Sequence, residues 1–301
     1  MSLKLATAPV SWGIWEQTID RDDLVPPVRL LETATAMGYR ALESGPPGYL
    51  AATGAAAVEL IRPFGVEIVA TFLPLRLDDR DDFAEDLAFL DQTTEVLAAT
   101  GSGLVILADQ ERPERARVSG QPERMRETAW SPATFDLAAE HLEVARLRCA
   151  ERGLRASFHP HAATYVEAPE EIDAILERTP HELGLCLDTG HTVVGGGDPV
   201  AIARRYADRL VHFHLKDVDA TVLGRLRAGE IDMDEGWQQG IFCPFGEGVV
   251  PLQEFLSLPE VRAVDGYAVL EQDRMAVTVD DLEAVRAVEA ENLRRVEEWL
   301  R

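Results

Sequence analysis

Ionisable side chains stand where apolar runs end. Ala41-Leu42 runs into Glu43, and Ala156-Ser157-Phe158 runs into His159, with His161 just beyond. Leu185-Cys186-Leu187 runs into Asp188, followed by Thr189-Gly190-His191. Val211 opens the alternation His212-Phe213-His214-Leu215-Lys216, and Ala268-Val269-Leu270 runs into Glu271. Side chains alternate faces along a strand, so His212, His214 and Lys216 share a face, as do Cys186 and Asp188. Carboxylates and imidazoles gathered away from water are costly unless they are paired or ligate a cation. A divalent ion resolves the conflict, and a mixed carboxylate and imidazole set suits Mn, Mg, Co or Zn. Each residue also has a plainer role open to it. Asp188 can cap a following helix, His212 can be a packed core histidine, Glu43 can pair with Arg40, Glu271 with Arg274, and Lys216 with a rim carboxylate.

The elements that must position these residues alternate regularly. Strands are expected near Leu3–Pro9, Arg40–Ser44, Glu67–Pro74, Leu104–Ala108, Arg155–His159, Leu183–Asp188, Leu210–Lys216 and Gly266–Gln272. Amphipathic stretches between them predict helices over Leu24–Met37, Phe83–Ala99, Pro132–Glu151, Pro169–Glu177, Pro199–Tyr206 and Val279–Trp299. Strand–helix units repeated in this way within 301 residues point to a single (β/α)8 TIM barrel spanning 1–301, for which about 250 residues plus insertions is typical. The barrel brings all the strand ends to one mouth. Long connections near 109–130 and 217–250 leave the same ends of their strands and are expected to wall or cover the pocket, or to meet another subunit.

The formal net charge of -24 repels a phosphate backbone, which argues against nucleic acid as a partner. No apolar run approaches a membrane span and no signal-peptide pattern opens the chain. Cys149, Cys186 and Cys243 are odd in number and far apart, which argues against a disulfide framework and for a cytoplasmic setting. HExxH, Walker and GxSxG motifs are absent, as is a GxGxxG loop after the first strand.

Several stretches resemble the xylose isomerase-like TIM barrels, and within them the inosose dehydratases and their sugar isomerase/epimerase relatives. They are Ala8-Pro9-Val10-Ser11-Trp12-Gly13, His159-Pro160-His161 with Thr164 and Val166-Glu167, Leu185-Cys186-Leu187-Asp188-Thr189-Gly190-His191, Gly195-Gly196-Gly197-Asp198-Pro199, Tyr206-Ala207-Asp208-Arg209, His212-Phe213-His214-Leu215-Lys216-Asp217 and Val269-Leu270-Glu271-Gln272-Asp273. The resemblance runs over nearly the whole chain, with the DTGH and HLKD stretches the most specific.

The resemblance implies one divalent ion, with Mn or Co favoured, held by Asp188, His214 and Glu271. A fourth ligand is expected from Glu167, because strand five carries Ser157-Phe158-His159 where many relatives have a glutamate. His159 and His161 are the rival donors. It also implies a small polyhydroxylated carbonyl substrate and allows a homo-oligomer. Candidate acid–base groups are Glu43, His161, His191 and Lys216. Trp12, His159, His212, Trp237 and Arg274 are assigned to the substrate. The expected reaction abstracts a proton beside a carbonyl and then expels a β-hydroxyl, as in dehydration of a keto-inositol. The alternative is a sugar or sugar-phosphate isomerase/epimerase sharing the same first half.

Overall fold

A computed structural model describes residues 3–275 and 277–301. Among these residues ten strands occur: β1 (Lys4–Thr7), β2 (Ala41–Glu43), β3 (Glu67–Leu75), β4 (Leu104–Asp109), β5 (Arg155–Phe158), β6 (Gly184–Asp188), β7 (Leu210–Leu215), β8 (Asp217–Val218), β9 (Phe242–Cys243) and β10 (Tyr267–Leu270). Eight of them close a barrel in the order β1-β10-β7-β6-β5-β4-β3-β2. Each pair around the ring is parallel. Every strand expected from the sequence falls on one of these eight. The remaining two, β8 and β9, form a short antiparallel ribbon inside the long connection after β7.

The strands read as continuous apolar runs because helices cover their outer faces. All of β4 and β6 is buried. Small and branched side chains such as Ala6, Ala70, Ile106, Cys186 and Val269 fill the barrel interior, and larger ones pack between strands and helices. This interior is packed solid, so polar side chains gather only where the strands end.

Helix boundaries follow their caps. The helix Pro132–Glu151 starts at Ser131, whose Oγ accepts the Thr134 N–H at 3.2 Å. The helix Arg80–Ala99 begins ahead of Phe83 because Asp79 accepts the N–H groups of Asp81 and Asp82 at 2.8 and 3.0 Å. A helix over Gly54–Ile61, capped by Thr53, has too short and alanine-rich a sequence to show a period. Both long connections hold short helices, Pro113–Ala116 and Pro122–Glu127 in one, Ala220–Arg227 and Met233–Gln238 in the other. Among the described residues no helix is long and apolar enough to cross a membrane.

Candidate active site and metal centre

The strand register decides which side chains meet. Asp188 at the end of β6 lies beside His214 on β7, and His214 beside Val269 on β10, so Glu271 follows at the same level. His214 Nδ1 is 3.2 Å from Glu271 Oε2, 3.7 Å from Asp188 Oδ2 and 3.0 Å from His159 Nε2, and His159 Nε2 is 3.6 Å from Asp188 Oδ2. All four residues are buried.

Glu43 sets the orientation of this group. Its Oε1 accepts from Nε2 of both His212 and His214, at 2.8 and 2.9 Å. Burial alone would raise the Glu43 pKa, but His214 and His212 outweigh it and hold the carboxyl well below its usual range. With Nε2–H committed to Glu43, Nδ1 faces Asp188, Glu271 and His159; burial opposes a charge on the ring, but Cys186, Glu271 and Glu43 hold His214 well above its usual range, so Nδ1 carries a proton that a cation would displace. A carboxylate behind a ligating histidine fixes its ring orientation in this way.

Asp188, His214 and Glu271 lie close enough together to share a divalent ion, and His159 borders them. Bonds of about 2.0–2.2 Å in a tetrahedral site place donors about 3.3–3.6 Å apart, close to the spacings found here. His214 Nδ1 and His159 Nε2 share a hydrogen bond at 3.0 Å whose proton a cation would replace, and His159 Nδ1, on the far edge of the ring, has no partner among the described residues. Cys186 also lies near His159 and His214, but burial pushes its thiol up to about 11, making it a poor competitor.

Asp188 does two jobs with its two oxygens. Oδ1 caps the helix Thr189–Val194 by accepting the His191 N–H at 2.8 Å, and Oδ2 faces the cluster. Lys216 Nζ lies 2.8 Å from Asp188 Oδ2, 2.6 Å from Glu271 Oε2 and 3.3 Å from Asp273 Oδ1. Burial opposes its charge, but Asp188, Asp273 and Glu271 together hold the ammonium well above its ordinary range. Gly190 makes room for this arrangement: a Cβ there would stand 2.5 Å from Lys216 Cβ.

His161 and His191 form a second pair, with ring centroids 3.8 Å apart. The peptide groups of one residue, Ala162, define both tautomers. Its carbonyl accepts from His161 Nδ1 at 2.9 Å, so the His161 proton is on Nδ1 and Nε2 is free. Its N–H donates to His191 Nδ1 at 3.3 Å, so the His191 proton is on Nε2, which has no hydrogen-bond partner. Burial holds both imidazoles well below their usual pKa.

A cavity of about 530 Å³ opens over Glu43, His159, His161, His214, Lys216 and Glu271, with Asp188 and His191 behind its lining. Its lining includes Trp15, Glu16, Phe72, Glu111 and Asp273 in addition to these, and among the described residues Lys216 is the only lysine or arginine in it. Burial raises Glu16 to about 7 and Glu111 to about 8.

Some residues named from sequence are placed elsewhere. Glu167 is not brought to the cluster: Oε1 accepts from Ser119 Oγ (2.7 Å) and Gly120 N (3.0 Å), and Oε2 from Ala163 N (2.9 Å). This carboxylate is spent on backbone and hydroxyl donors away from the cluster, and His159 stands there beside His214 and Asp188. Trp12 is fully buried in the core, and Trp15 lines the pocket in its place. Trp237 stands behind the pocket wall, 5.6 Å from Trp15 and 6.2 Å from His161. Arg274 turns away to the Ser11 carbonyl and Glu289, at 2.6 and 2.7 Å, rather than to Glu271. His212 lies behind Glu43, outside the cavity lining. Sequence reasoning passed over Asp273, although it shares a face with Glu271 by strand alternation. It also passed over Glu16, Glu111 and Trp15, which sit on irregular loops with no periodicity to place them.

With this geometry in hand, known proteins give a consistent picture. The xylose isomerase-like TIM barrel family description matches residues 31–295. The chain belongs to that family. It is 33% identical over 280 residues to the rhizopine catabolism protein MocC of Rhizobium meliloti, covering 89% of this chain and 79% of that one. It is 28% identical over 284 residues to an inosose dehydratase of Geobacillus kaustophilus, covering 90% and 87%. A solved structure of IolI protein with a bound zinc atom matches with a TM-score of 0.70 at 15% identity, over 98% of each chain. The chain is thus an enzyme built on this family's barrel.

Proposed function

We propose that this enzyme is a divalent-metal-dependent lyase that removes water from a keto-cyclitol of the inosose type. The observation that carries the reading is the His161–His191 pair, adjacent and in opposite tautomers, beside the His159–Asp188–His214–Glu271 cluster. Support also comes from the inosose dehydratase relatives, which align over most of the chain. A cation held by the four donors would supply the positive charge that stabilises an enediolate.

The chain's own residues account for the proton movements. His161 Nε2, a free lone pair on a neutral ring, takes the proton from the carbon beside the carbonyl. The Ala162 carbonyl stays bonded to Nδ1 and stabilises the imidazolium formed. His191, held neutral by burial, stands behind the cavity lining with its Nε2 3.7 Å from Asp273 Oδ2, and supports His161 without touching substrate. His161 then returns its proton to the β-hydroxyl; the carbon–oxygen bond breaks, a carbon–carbon double bond forms, and water departs. Trp15 and Phe72 wall the cavity against bulk solvent.

An isomerase or epimerase is the second reading, since it shares proton abstraction. The placement of His161 favours elimination. His161 serves both steps, so proton removal and hydroxyl departure occur on one face of the substrate, whereas epimerisation needs a proton carrier across from the first. The acidic mouth disfavours a phosphorylated substrate, because Glu16, Glu111 and Asp273 face it and Lys216 is already paired.

The test is a dehydration assay. Protein stripped with chelator and reloaded separately with Mn, Co, Mg or Zn is given 2-keto-myo-inositol, and loss of one water is followed by mass. Metal-dependent loss, absent from the chelated control, is the expected result. No water loss with any ion, from protein shown to bind metal, would move the assignment to isomerisation.

A further inference from the structure

The carboxylate of Glu167 has no place in the metal cluster, yet it is almost fully buried and accepts three hydrogen bonds. One of its donors is the N–H of Ala163, whose φ of 63° is the only positive value at a non-glycine residue among those described. L-residues resist this left-handed region because Cβ crowds the backbone. Strain of this kind persists only where its surroundings over-determine it. Here they do. Glu167 Oε2 holds the Ala163 N–H at 2.9 Å, and the Arg112 N–H holds the Ala163 carbonyl at 2.9 Å. On either side, Thr164 Oγ1 donates to the His161 carbonyl at 2.7 Å, and Tyr165 N donates to Asp109 Oδ2 at 2.9 Å. The fit around Glu167 is close: a Cβ on Gly195 would stand 2.4 Å from the Glu167 carbonyl.

The consequence lies one residue upstream. Ala162 reaches His161 with its carbonyl and His191 with its N–H. That carbonyl belongs to the same peptide unit as the Ala163 N–H, so the hydrogen bond to Glu167 and the one from His161 hold opposite edges of one rigid plane. Rotating that plane away from Glu167 would swing the acceptor from His161 Nδ1 and free the ring to change tautomer.

We propose that Glu167 is a positioning residue, which holds the Ala162–Ala163 peptide in its strained orientation so that His161 keeps its proton on Nδ1 and a free Nε2. The assignment of roles to the two histidines rests on the proposed dehydratase chemistry; the tautomers themselves do not. Ser119 and Gly120, in the connection after β4, complete the device by fixing the other oxygen of Glu167.

The experiment uses the full chain loaded with zinc as a diamagnetic probe ion, with histidine ring nitrogens labelled with 15N. In the unaltered protein, NMR should show His161 protonated at Nδ1 and His191 at Nε2. Glu167→Gln puts an amide donor against Ala163 N–H or Gly120 N–H. It should lose the single-tautomer pattern of His161 and lower kcat about 10- to 100-fold, with KM and bound zinc little changed. Ala163→Gly added to Glu167→Gln should recover roughly tenfold in kcat, because glycine adopts the same φ without the penalty. Ser119→Ala, a milder loss at the same carboxylate, should shift tautomer and kcat in the same direction by less, and carries the test if Glu167→Gln does not fold. Unchanged tautomers and kcat in the Glu167 or Ser119 variant would overturn the proposal. So would zinc loss in proportion to activity, or no recovery from Ala163→Gly. Because the ring tautomers are read without substrate, a chain that fails to dehydrate keto-cyclitols leaves this outcome legible.

Discussion

Replacing Glu43 with glutamine isolates the orienting carboxylate from the cluster it serves. Glu43 Oε1 accepts two imidazole N–H groups at 2.8 and 2.9 Å, from His212 and His214. Glutamine is nearly isosteric, and its carbonyl oxygen can accept both bonds, but both cease to be charge-assisted. A hydrogen bond to a charged group contributes about 1.5–3 kcal/mol and a neutral one about 0.5–1.5, so each bond loses about 1 kcal/mol. The His214 bond is stronger with a cation on Nδ1 than with a neutral ring, because the ring then carries more positive charge. The His212 bond holds Glu43 itself in place. Taken together, about 1–2 kcal/mol of metal affinity depends on the carboxylate, which is about 5- to 30-fold in Kd. That agrees with the 10- to 100-fold cost of losing an outer partner of a ligating histidine. The assay is a competition titration of zinc against a chromophoric chelator, with circular dichroism to confirm the barrel is intact. Unchanged zinc affinity in a folded Glu43→Gln protein would refute the chain from Glu43 through His214 Nδ1 to the ion.

Asp188→Asn should lower metal binding about 100-fold, keep the helix cap because asparagine caps the His191 N–H as well as aspartate, and still lower the melting temperature because the buried Lys216 ammonium loses one of its carboxylates; a metal titration beside melting curves with and without Lys216→Met separates the two oxygens' roles. Lys216→Met removes the ammonium between Asp188 and Glu271, so in chelated protein the loss should be about 3–5 kcal/mol, and zinc should restore much of it; equal destabilisation with and without zinc would count against ion and ammonium sharing those carboxylates. Burial raises Asp109 from 3.8 to about 7. Between those values the folded state keeps a proton that the unfolded state has released, so the Asp109 contribution to stability falls as pH rises through that window and is constant above it. Asp109→Asn should therefore be more favourable relative to the parent at pH 8 than at pH 5 in urea unfolding, and the opposite trend would contradict the assignment.

The barrel and most of the cluster were legible in sequence for one reason. A residue that ends a strand in a parallel barrel has its direction set by strand alternation and its neighbours set by register. Glu43, Asp188, His214, Lys216 and Glu271 therefore meet, although they are scattered along the chain. Loop residues have no such rule. Trp12 and Trp15 sit in one irregular segment, and nothing in their spacing tells that the first enters the core while the second faces the cavity. Arg274 follows Glu271 closely enough to suggest a pair, but a backbone turn after β10 sends it to Glu289 in the final helix.

Glu167 makes the same point in chemistry. Sequence reasoning assigned it to the metal because strand five lacks a glutamate and this one lies just downstream. In the fold, the nearest unmet demand is for acceptors: Gly120 N–H, Ala163 N–H and the Ser119 hydroxyl are buried together with no strand or helix to satisfy them. An ionised or protonated carboxyl with two oxygens meets that demand, and His159, already at the end of β5, can complete the metal set without it. Which of two buried needs a glutamate serves depends on where backbone N–H groups are left unpaired. That is a property of loop conformation, and strand periodicity carries no information about it.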